Sequence, residues 1–589
     1  MSRWRLEIPD CPPEQVAALR RELGVSDTLA QVLVRRGLGD PQAARTFLAA
    51  AEEHPPSAFK GIGEAVALVL EHIGRGERIT VHGDYDVDGI CSTAVLVRAL
   101  RGLGADVDSY LPDRASDGYG LAESTVRRLA ERGTRLLITA DCAITAVAEV
   151  ALSKELGMAV IVSDHHAPRA DGALPQAPIV HPALCGYPCK ELCATAVAYK
   201  LAQAIHTAAG RDPQELRGDL DLVALATIAD VVELRGENRT LVRRGMRALA
   251  GTARPGLRAL MAVARIEPAK VNERAVGFAL APRLNAAGRL YRADAGLELI
   301  LTEDPLRAAQ IAQELDAANN ERRQVELRIR HEAEAQLAEQ GERSAYVLAG
   351  EGWHAGVIGI VASRMVEQCG RPVVMIALDG EHGKASGRSI DAFDLLGGLT
   401  ACAPLLGRFG GHRAAAGLEI TRENVSAFAA ALDEHAAGVL DTAELTGVER
   451  VDAIVAGADL GMALAEELQS LAPFGRGNPT VSLMAADAVF ADARPMGEGK
   501  HVRFTVESRG VRARAVAFGN GGRLPVAEGV PAEATFTLEV NEWNGVSEPR
   551  LVLRRAQPAE LAAAQIAEPQ AAAEEVAAEA EELVLFALP

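Results

Sequence analysis

The segment VHGDYDVDG, residues 81–89, carries one histidine and three aspartates at alternate positions. On an extended strand these side chains would project to the same side, where the carboxylates repel one another. One or two bound metal cations would offset that repulsion. The pattern therefore predicts a metal site that includes His82, Asp84, Asp86 and Asp88.

Further carboxylates and imidazoles follow apolar runs elsewhere in the chain. They are Asp141 in LLITADC, Asp164, His165 and His166 in VIVSDHH, and Asp230 in LATIADVV. We interpret each run as a strand, so that all these side chains meet at one edge of a sheet. A single Asp after a strand is more often a helix cap, but the set together favours a metal centre.

The mixture of carboxylates and imidazoles suits Mn²⁺ or Mg²⁺ better than a thiolate-bound zinc. Two such ions about 3.5–4 Å apart, bridged by one carboxylate, would activate a water and hold a phosphoryl oxygen. The chemistry that these residues predict is therefore metal-dependent hydrolysis of a phosphate ester.

The elements that would position the donors alternate between helical and strand patterns from residue 61 to about 170. Short apolar strands separated by helices indicate a parallel, doubly wound α/β sheet, and ligands gather at the carboxyl ends of such strands. A mostly helical stretch follows to about residue 265. Residues 304–340 have helical periodicity and contain neither Gly nor Pro after Pro305, which predicts one long helix between two domains. An exposed, coiled-coil-like arm is the alternative.

The C-terminal half predicts a second, smaller α/β domain to about residue 440 and a small barrel from about 450 to 556. The predicted fold class is α/β, with two α/β domains joined by a long helix around a cleft and a C-terminal OB-like β-barrel. The predicted segments are a helical one at 1–55, the first α/β domain at 56–265, a connecting region with the long helix at 266–343, the second α/β domain at 344–440, the barrel at 448–556 and an acidic tail, expected to be mobile, at 557–589.

Composition and charge limit the function classes. A chain of 589 residues suits three or four domains. The net charge of −19 speaks against general affinity for nucleic acid. The tail from Glu560 onward nevertheless holds seven Glu and no Lys or Arg, so a local basic groove remains compatible with the total. Since no apolar run is long enough for a membrane span or a signal peptide, we expect a cytoplasmic protein that does not contact membranes.

The eight cysteines are spread along the chain, which is typical of reduced thiols. His181, Cys185, Cys189 and Cys193 recur at four-residue intervals and could ligate zinc from one face of a helix. The Tyr187-Pro188 pair argues against a continuous helix there. We therefore favour buried or incidental thiols.

Several motifs resemble one known family. HGDYDVDG, TADC, SDHH and IADVV resemble the DHH phosphoesterase superfamily, and GWHAGVIGIVASR, KASGRS and GGHRAAAG resemble the motifs of the DHHA1 domain. PRLNAAGR, LDAANNERR and the terminal barrel resemble the members of this family that degrade single-stranded DNA from 5′ to 3′. The likeness covers about residues 20–556 and implies a DHH domain, a DHHA1 domain and an OB fold.

The resemblance implies a role for each donor. His82 and Asp86 would bind one ion, and Asp88, His165 and Asp230 would bind the other. Asp141 would bridge the two.

The resemblance also implies roles for the remaining residues of the cluster. Asp84 and Asp164 would orient the histidines, with Asp84 as an alternative direct ligand. His166 would face the substrate, as a phosphate contact or as a proton donor to the leaving oxygen. The predicted catalytic set is therefore His166, Asp141 and Asp84.

Substrate contacts are implied on both sides of the expected cleft. In KASGRS, a short Gly-rich turn with Ser386, Gly387 and Arg388 would bind a terminal phosphate. The other implied substrate contacts are Arg114, Tyr119 as a stacking platform, Arg283, Arg289 and His354. The cleft would admit one strand and exclude a duplex, and the barrel would follow the single strand with Trp543 and Phe504 as stacking surfaces. Core packing is the favoured role for Phe504.

Two positions depart from the family pattern. Ala143 in ITADCAI and Ala385 in KASGRS stand where the family generally has glycine. The added methyl groups could tighten the backbone or shift a loop. Because neither residue is an implied ligand, we expect activity to survive.

The end of the chain suggests a partner. ELVLF, residues 582–586, resembles the short peptide with which replication and repair proteins bind the bacterial sliding clamp, with Leu583, Leu585 and Phe586 as anchors. Alternatively, this apolar tip packs on its own protein or has no role. A single-strand-binding protein and a helicase are further partners that the resemblance implies.

The leading hypothesis is a metal-dependent phosphodiesterase that removes 5′ mononucleotides from single-stranded DNA in repair and recombination. One alternative is a DHH nuclease for very short RNA or cyclic dinucleotides, although the terminal barrel favours a polymer. A protein of another class, a non-catalytic nucleic-acid scaffold, is the second alternative. The presence of all implied ligands argues against it.

Overall fold

A computed structural model describes residues 4–112, 120–290, 294–440, 447–543 and 545–559. The chain divides into two compact units. The parallel-sheet unit comprises Ala50–Arg328 and Pro473–Asn478, and the barrel unit comprises the residues up to Ala49, Ile329–Ala472 and the residues from Pro479 onward.

The first part of the chain contains seven α-helices and six strands among the described residues. They are β1 (Trp4–Glu7), α1 (Pro13–Leu23), α2 (Asp27–Arg35), α3 (Pro41–Ala49), α4 (Ile62–Gly74), β2 (Ile79–His82), α5 (Val87–Gly102), β3 (Val107–Tyr110), α6 (Glu123–Glu131), β4 (Leu136–Ala140), α7 (Val147–Glu155), β5 (Ala159–Ser163) and β6 (Ile179–Val180). The predicted alternation between residues 61 and 170 is confirmed.

The middle of the chain is helical. Its elements are α8 (Ala194–Ala208), α9 (Leu220–Ala229), α10 (Gly236–Ala250), α11 (Pro255–Val263), α12 (Glu273–Ala275), a π-helix (Val276–Leu280), α13 (Ala281–Leu290), α14 (Asp294–Leu301) and α15 (Pro305–Gln340). The last of these is the predicted long helix, 36 residues without interruption.

The remaining elements belong to the barrel unit. They are β7 (Tyr346–Glu351), α16 (Ile358–Cys369), β8 (Val373–Asp379), β9 (His382–Arg388), α17 (Leu395–Ala401), β10 (Phe409–Gly411), β11 (Ala415–Thr421), α18 (Val425–Val439), β12 (Gly447–Arg450), β13 (Ala453–Ile454), α19 (Met462–Leu468), β14 (Leu483–Met496), β15 (His501–Ser508), β16 (Val511–Ala517), β17 (Pro531–Trp543) and β18 (Val546–Pro558).

The parallel-sheet unit is doubly wound, as predicted. Its strands are all parallel in the order β3-β2-β4-β5-β6. Alternate residues of β4 pack into different cores, since Leu136 and Ile138 join a core with residues of α4, α5 and α8, whereas Leu137 joins one with residues of α6 and α7. Strands β2, β4 and β5 are buried along almost their whole length, as expected for a parallel sheet covered on both faces.

The second sheet is mixed rather than parallel. Its order is β10-β11-β9-β8-β7, and only β7 and β8 run parallel. KASGRS lies almost entirely in β9, so the predicted Gly-rich turn was wrong. Because β9 pairs with β8 on one side and β11 on the other, its backbone N–H groups are engaged in the sheet.

The C-terminal barrel is closed. Strands β14, β15, β16, β18 and β17 pair in that order, and β14 also pairs with β17. Phe504 is buried and its ring lies 5.0 Å from that of Phe490, which gives it the core role that the sequence favoured. The side chain of Trp543 lies outside the described residues.

The first strand joins the barrel unit from the far end of the chain. β1 pairs in parallel with β12, and Arg36 at the end of α2 forms an ion pair of 2.8 Å with Asp452. The sequence predicted α1 and α2 but missed β1, because its partner strand lies more than 400 residues away.

Two further observations concern the whole described chain. Its cysteines are all free, and Cys185 and Cys193 contact Ile179 O and Thr227 Oγ1 rather than each other. Among the described helices, none combines the length and the apolar character that crossing a membrane requires.

Candidate metal centre

The HGDYDVDG segment is a strand, a turn and a helix start. β2 ends at His82 and α5 begins at Val87, so the extended conformation inferred from the alternation was wrong. Asp86 is the N-cap of α5, and its Oδ1 accepts hydrogen bonds of 3.0 Å from the N–H groups of Asp88 and Gly89. The N-terminus of a helix carries a partial positive charge, which stabilises a carboxylate at the N-cap. This accounts for the aspartate at position 86.

The PRLNAAGR segment braces this turn from α13. Asn285 Oδ1 accepts a hydrogen bond of 3.0 Å from Val87 N. Gly288 packs so closely that a Cβ atom there would lie 2.9 Å from Tyr85 O. The glycine is therefore needed for close approach to the donor-bearing turn.

The carboxylate of Asp88 is held by the N-terminus of α8. It accepts hydrogen bonds from Ala194 N at 2.7 Å, Thr195 N at 2.8 Å and Thr195 Oγ1 at 2.6 Å. Asp88 is 2% exposed, so these contacts fix one orientation of the carboxylate. The sequence did not single out Ala194 and Thr195, although a Thr just inside a helix start is a recognisable polar signal.

Asp141 follows β4 in a strained conformation. Its φ is +70°, which is uncommon for a residue other than glycine, and its N–H donates to Ser163 O at 3.1 Å. Burial raises the pKa of its carboxyl group well above the usual range, and the charges of Asp88 and Asp86 raise it further. Strain and carboxylate crowding at one buried residue indicate a position selected for function.

Asp164 orients the two histidines that follow it. Its Oδ1 accepts hydrogen bonds from His165 N at 2.7 Å and from His166 Nδ1 at 2.8 Å. Burial alone would lower the pKa of His166, but the bond to Asp164 and nearby carboxylates raise it to about 9. Burial lowers the pKa of His165, which favours the neutral ring that a metal requires.

Asp230 reaches the cluster from a helix, not from a strand. It is the C-cap of α9, so the prediction of a fourth strand end was wrong. The next residue, Val231, has a φ of +57°, a strained value for a β-branched side chain. Burial raises the pKa of Asp230 to about 8, together with the charges of Asp88 and Asp86.

These side chains converge. His165 Nε2 lies 3.2 Å from Asp141 Oδ1 and 3.8 Å from the nearest carboxylate oxygens of both Asp88 and Asp230. Donor atoms within 4.8 Å of one another form three groups: Asp88, His165 and Asp230; Asp84, Asp86 and Asp141; and Asp141, His165 and His166. His82 lies outside these three groups of described residues.

Two of the donor atoms are buried without a hydrogen-bond partner, as expected for atoms that bind a cation. His165 Nε2 and Asp141 Oδ1 are buried, and neither makes a hydrogen bond although they lie 3.2 Å apart. A buried polar atom without a partner lowers the stability of the fold by about 1–3 kcal/mol. A bound cation would remove this cost, because both atoms could donate a lone pair to it. A hard divalent cation fits this set of oxygens and imidazole nitrogens.

The environment of His82 includes a thiol that the sequence did not single out. Cys142 Sγ lies 3.5 Å from His82 Nδ1 and 3.7 Å from His82 O. If the thiol donates to the carbonyl of His82 and accepts a hydrogen bond from Nδ1, the ring carries its proton on Nδ1. The lone pair on Nε2 is then available for a metal. Cys142 is therefore placed to orient His82.

The barrel unit holds a smaller cluster of the implied phosphate contacts. Arg388 Nη1 donates to Ser386 Oγ at 3.0 Å, and Gly359 near the start of α16 packs against both side chains. His354 lies just before α16, where its carbonyl accepts from Val357 N and Ile358 N. Gly387, the third implied contact of this segment, packs closely, because a Cβ atom there would lie 2.8 Å from Leu395 Cδ2.

Arg283 is the remaining implied substrate contact whose side chain the structure describes, and it is paired within the parallel-sheet unit. Arg283 forms an ion pair of 2.8 Å with Asp316 of α15 and donates to Ala279 O. Arg114, Tyr119, the side chain of Arg289 and the tail with Leu583, Leu585 and Phe586 lie outside the described residues.

Known families match each part of this architecture. Residues 78–227 match the DHH family, N-terminal domain, residues 342–438 match the DHHA1 domain, and residues 451–555 match the RecJ OB domain. Fold and site thus define a DHH phosphoesterase with a DHHA1 domain and an OB fold, which confirms the predicted fold class.

Whole-length relatives narrow the class to one family. The single-stranded-DNA-specific exonuclease RecJ of Bacillus subtilis is 38% identical over 95% of this chain and 71% of its own length. That of Dickeya dadantii is 35% identical over 94% of this chain and 97% of its own. The crystal structure of RecJ in complex with Mn²⁺ from Thermus thermophilus superposes with a TM-score of 0.81 at 32% identity, over 98% of this chain and 81% of that one. The chain belongs to the RecJ family.

Proposed function

We propose that this protein is a metal-dependent 5′ to 3′ exonuclease that hydrolyses single-stranded DNA to 5′ mononucleotides in DNA repair and recombination. The observation that carries the proposal is the convergence of Asp88, Asp141, His165 and Asp230 from four separate segments. Membership of the RecJ family and the closed barrel support a nucleic-acid polymer as the substrate.

The cofactors would be two divalent cations, Mn²⁺ or Mg²⁺. Asp88, His165 and Asp230 would hold one, and His82 and Asp86 the other, with Asp141 between them. The grouping of Asp84 with Asp86 and Asp141 supports Asp84 as a further ligand. When bound, these cations would supply an activated water and neutralise charge on the phosphoryl oxygens.

The protein's own groups would guide the remaining steps. Asp164 holds His166 through Nδ1, so His166 would act through Nε2, as a phosphate contact or by protonating the leaving oxygen. Release of a 5′ mononucleotide breaks the bond between phosphorus and the 3′ oxygen, and that oxygen would take the proton.

The direction of digestion would come from the barrel unit. Ser386 and Arg388, near the start of α16, would bind the 5′ phosphate together with His354. Because the backbone of β9 is paired on both sides, these contacts would come from side chains. Arg114, Tyr119, Arg283 and Arg289 stay as further predicted contacts.

The experiment uses full-length protein, Mn²⁺ and 3′-labelled single-stranded DNA that bears or lacks a 5′ phosphate, with duplex DNA beside it. Progressive shortening of the single strand from its 5′ end is the expected result, and Asp141→Ala should abolish it. Cleavage of dinucleotides alone would indicate a short-substrate enzyme, and no cleavage would indicate a scaffold.

We further propose a cytoplasmic location, which the free cysteines support, and three protein partners. Leu583, Leu585 and Phe586 would bind the sliding clamp, and a single-strand-binding protein and a helicase would supply the substrate. Titrating the clamp with a peptide of residues 580–589, against one with all three anchors changed to Ala, tests the first of these. Equal affinity of the two peptides would contradict it.

A further inference from the structure

His181 is one of the four residues whose spacing could suit zinc, and none of the roles proposed above involves it. It is 2% exposed, and both of its ring nitrogens bond to backbone groups. A ring engaged through both nitrogens has no lone pair left for a metal. The role of this buried histidine must therefore come from the groups that it contacts.

The parallel sheet brings His181 next to the candidate metal centre. β5 and β6 run parallel, and Ser163 at the end of β5 pairs with Val180 at the end of β6. Because the two strands end side by side, the residue after β6, His181, follows the same edge as the residue after β5, Asp164. A bond of 3.2 Å from Asp164 N to Val180 O continues the pairing.

The ring of His181 bonds to the backbone of His166. His181 Nε2 lies 2.9 Å from His166 O, a group that can only accept a hydrogen bond. His181 Nδ1 lies 3.2 Å from Ala183 N and 3.3 Å from Leu184 N, which can only donate. These partners assign one tautomer, a neutral ring with its proton on Nε2.

His166 is thereby held from both sides of its α-carbon. On one side, Asp164 Oδ1 accepts bonds from His166 N at 3.1 Å and from His166 Nδ1 at 2.8 Å. On the other side, the carbonyl group of His166 accepts a bond from His181. Asp164 restrains the rotation of the ring, and His181 restrains the peptide group that follows it.

The second restraint has a physical purpose, because a surface loop begins directly after His166. Residues 167–172 are all exposed, and the ion pair between Arg169 and Asp171 is local to the loop. Loops of this kind move more than the sheet that carries them. The bond from His181 crosses the base of the loop and separates its motion from His166.

We propose that His181 is a positioning residue, which holds His166 through its carbonyl group so that the ring meets the substrate phosphate in one orientation. The inference rests on the proposed function, because it extends the role of His166 in hydrolysis. The same ring also stabilises the turn after β6 by accepting the N–H groups of Ala183 and Leu184. The two roles use different ring nitrogens, so they can be separated by substitution.

Two amide side chains separate the roles. In His181→Asn the amide oxygen replaces Nδ1 and still accepts from the turn, but no donor reaches His166 O. In His181→Gln the longer side chain brings an amide N–H to the former place of Nε2, and the acceptor for the turn is lost. His181→Asn should therefore retain stability and lose activity, whereas His181→Gln should retain activity and lose stability.

The first test measures both properties in full-length variants, with Mn²⁺ and 5′-phosphorylated single-stranded DNA. We expect kcat/KM of His181→Asn to fall about 10- to 100-fold, as for other groups that orient an active-site residue. His181→Gln should recover most of this loss, and urea unfolding should rank the two variants in the opposite order. His206→Asn is the matched control, because that ring is also buried and bonds to a backbone carbonyl, Ala99 O, at 3.1 Å. Equal activity of His181→Asn and His206→Asn would overturn the proposal.

A double-mutant cycle tests whether the effect passes through His166. Once His166→Ala has removed the ring, His181→Asn should reduce the remaining activity little further, since no ring is left to position. A loss as large as that in the unmodified background would assign His181 to general support of the fold and overturn the proposal.

Two further measurements do not depend on activity. Calorimetric titration should give His181→Asn the Mn²⁺ affinity of the unmodified protein, because His166 is not an implied ligand. Clearly weaker Mn²⁺ binding would make His181 a support of the metal centre and overturn the proposal.

Nitrogen NMR of ¹⁵N-histidine-labelled protein tests the contact itself. The signal that disappears in His181→Gln belongs to His181, and it should show a proton on Nε2 alone. A proton on Nδ1 would overturn the proposal. An inactive unmodified protein that shows the expected tautomer would instead reject the nuclease function.

Discussion

The donor cluster of the parallel-sheet unit and the Ser386–Arg388 pair of the barrel unit are built in different ways. The first draws on several separate segments and includes strained backbone at Asp141 and Val231. The second lies on β9, which is paired on both sides and in which no residue has a positive φ among its seven described positions. A metal centre requires donor atoms from several segments at bonding distance from the same ion. A terminal phosphate can be bound by a few side chains on one rigid strand.

The largest effect should follow from a change in the strained cluster. Asp141→Asn removes the charge of the implied bridging ligand and keeps its size. Loss of several kcal/mol of transition-state stabilisation would lower kcat roughly a thousandfold or more. Single-turnover kinetics with saturating DNA measures it. Asp171→Asn, an exposed change of the same kind, is the control, and equal rates for the two variants would contradict the assigned role.

A change on the regular strand should affect discrimination rather than chemistry. Arg388→Ala removes the guanidinium that contacts Ser386. We expect a roughly 10- to 100-fold loss of kcat/KM on 5′-phosphorylated DNA, as for a charged hydrogen bond, and little change on DNA without that phosphate. Parallel assays of both substrates test this, with Arg371→Ala as the control. An equal loss on the two substrates would contradict a contact to the 5′ phosphate.

The thiol beside His82 should have a smaller effect on metal binding. Cys142→Ala leaves His82 Nδ1 without its sulfur contact, so Mn²⁺ affinity should fall about tenfold, as for other groups that orient a ligand. Cys142→Ser, which keeps a donor and an acceptor, should lose less. Calorimetric Mn²⁺ titration measures both, and identical affinities for Ala, Ser and the unmodified protein would show that the thiol has no positioning role.

The smallest effect concerns backbone strain alone. Ala143 has a φ of +81°, which explains why glycine is usual there. Ala143→Gly should raise the free energy of unfolding by about 0.5–1 kcal/mol, because glycine adopts this conformation without a steric penalty. Urea unfolding measures it. Ala151→Gly within α7 should instead lower the free energy by a similar amount, and a loss at both positions would contradict the strain argument.

Most of the donor residues that the sequence singled out lie close together in the structure, but the backbone that carries them differs from the predicted one. The alternation of His82, Asp84, Asp86 and Asp88 does not come from one strand. His82 ends β2, Asp86 caps α5, and Asp88 lies in the first turn of that helix. A capping carboxylate and a metal ligand can be the same residue, so the alternation alone does not distinguish strand from turn. Asp230 was misplaced for a similar reason, since a short apolar run fits a buried helix as well as a strand.

Contacts between residues far apart in the chain could not be predicted from the sequence. Thr195 contacts Asp88, Asn285 contacts Val87, and Arg476 O accepts a hydrogen bond from Leu234 N only because distant segments fold together. KASGRS was mistaken for a turn because its small residues suggest flexibility. In the fold those small residues allow close packing, as Gly387 against Leu395 demonstrates.

Crystals of the full-length protein soaked in Mn²⁺, with anomalous data collected at the manganese edge, test the central claim most directly. We predict two anomalous peaks about 3.5–4 Å apart, both within bonding distance of Asp141, one near His165 and the other near Asp86. A single peak, or two peaks that do not share Asp141, would contradict the account.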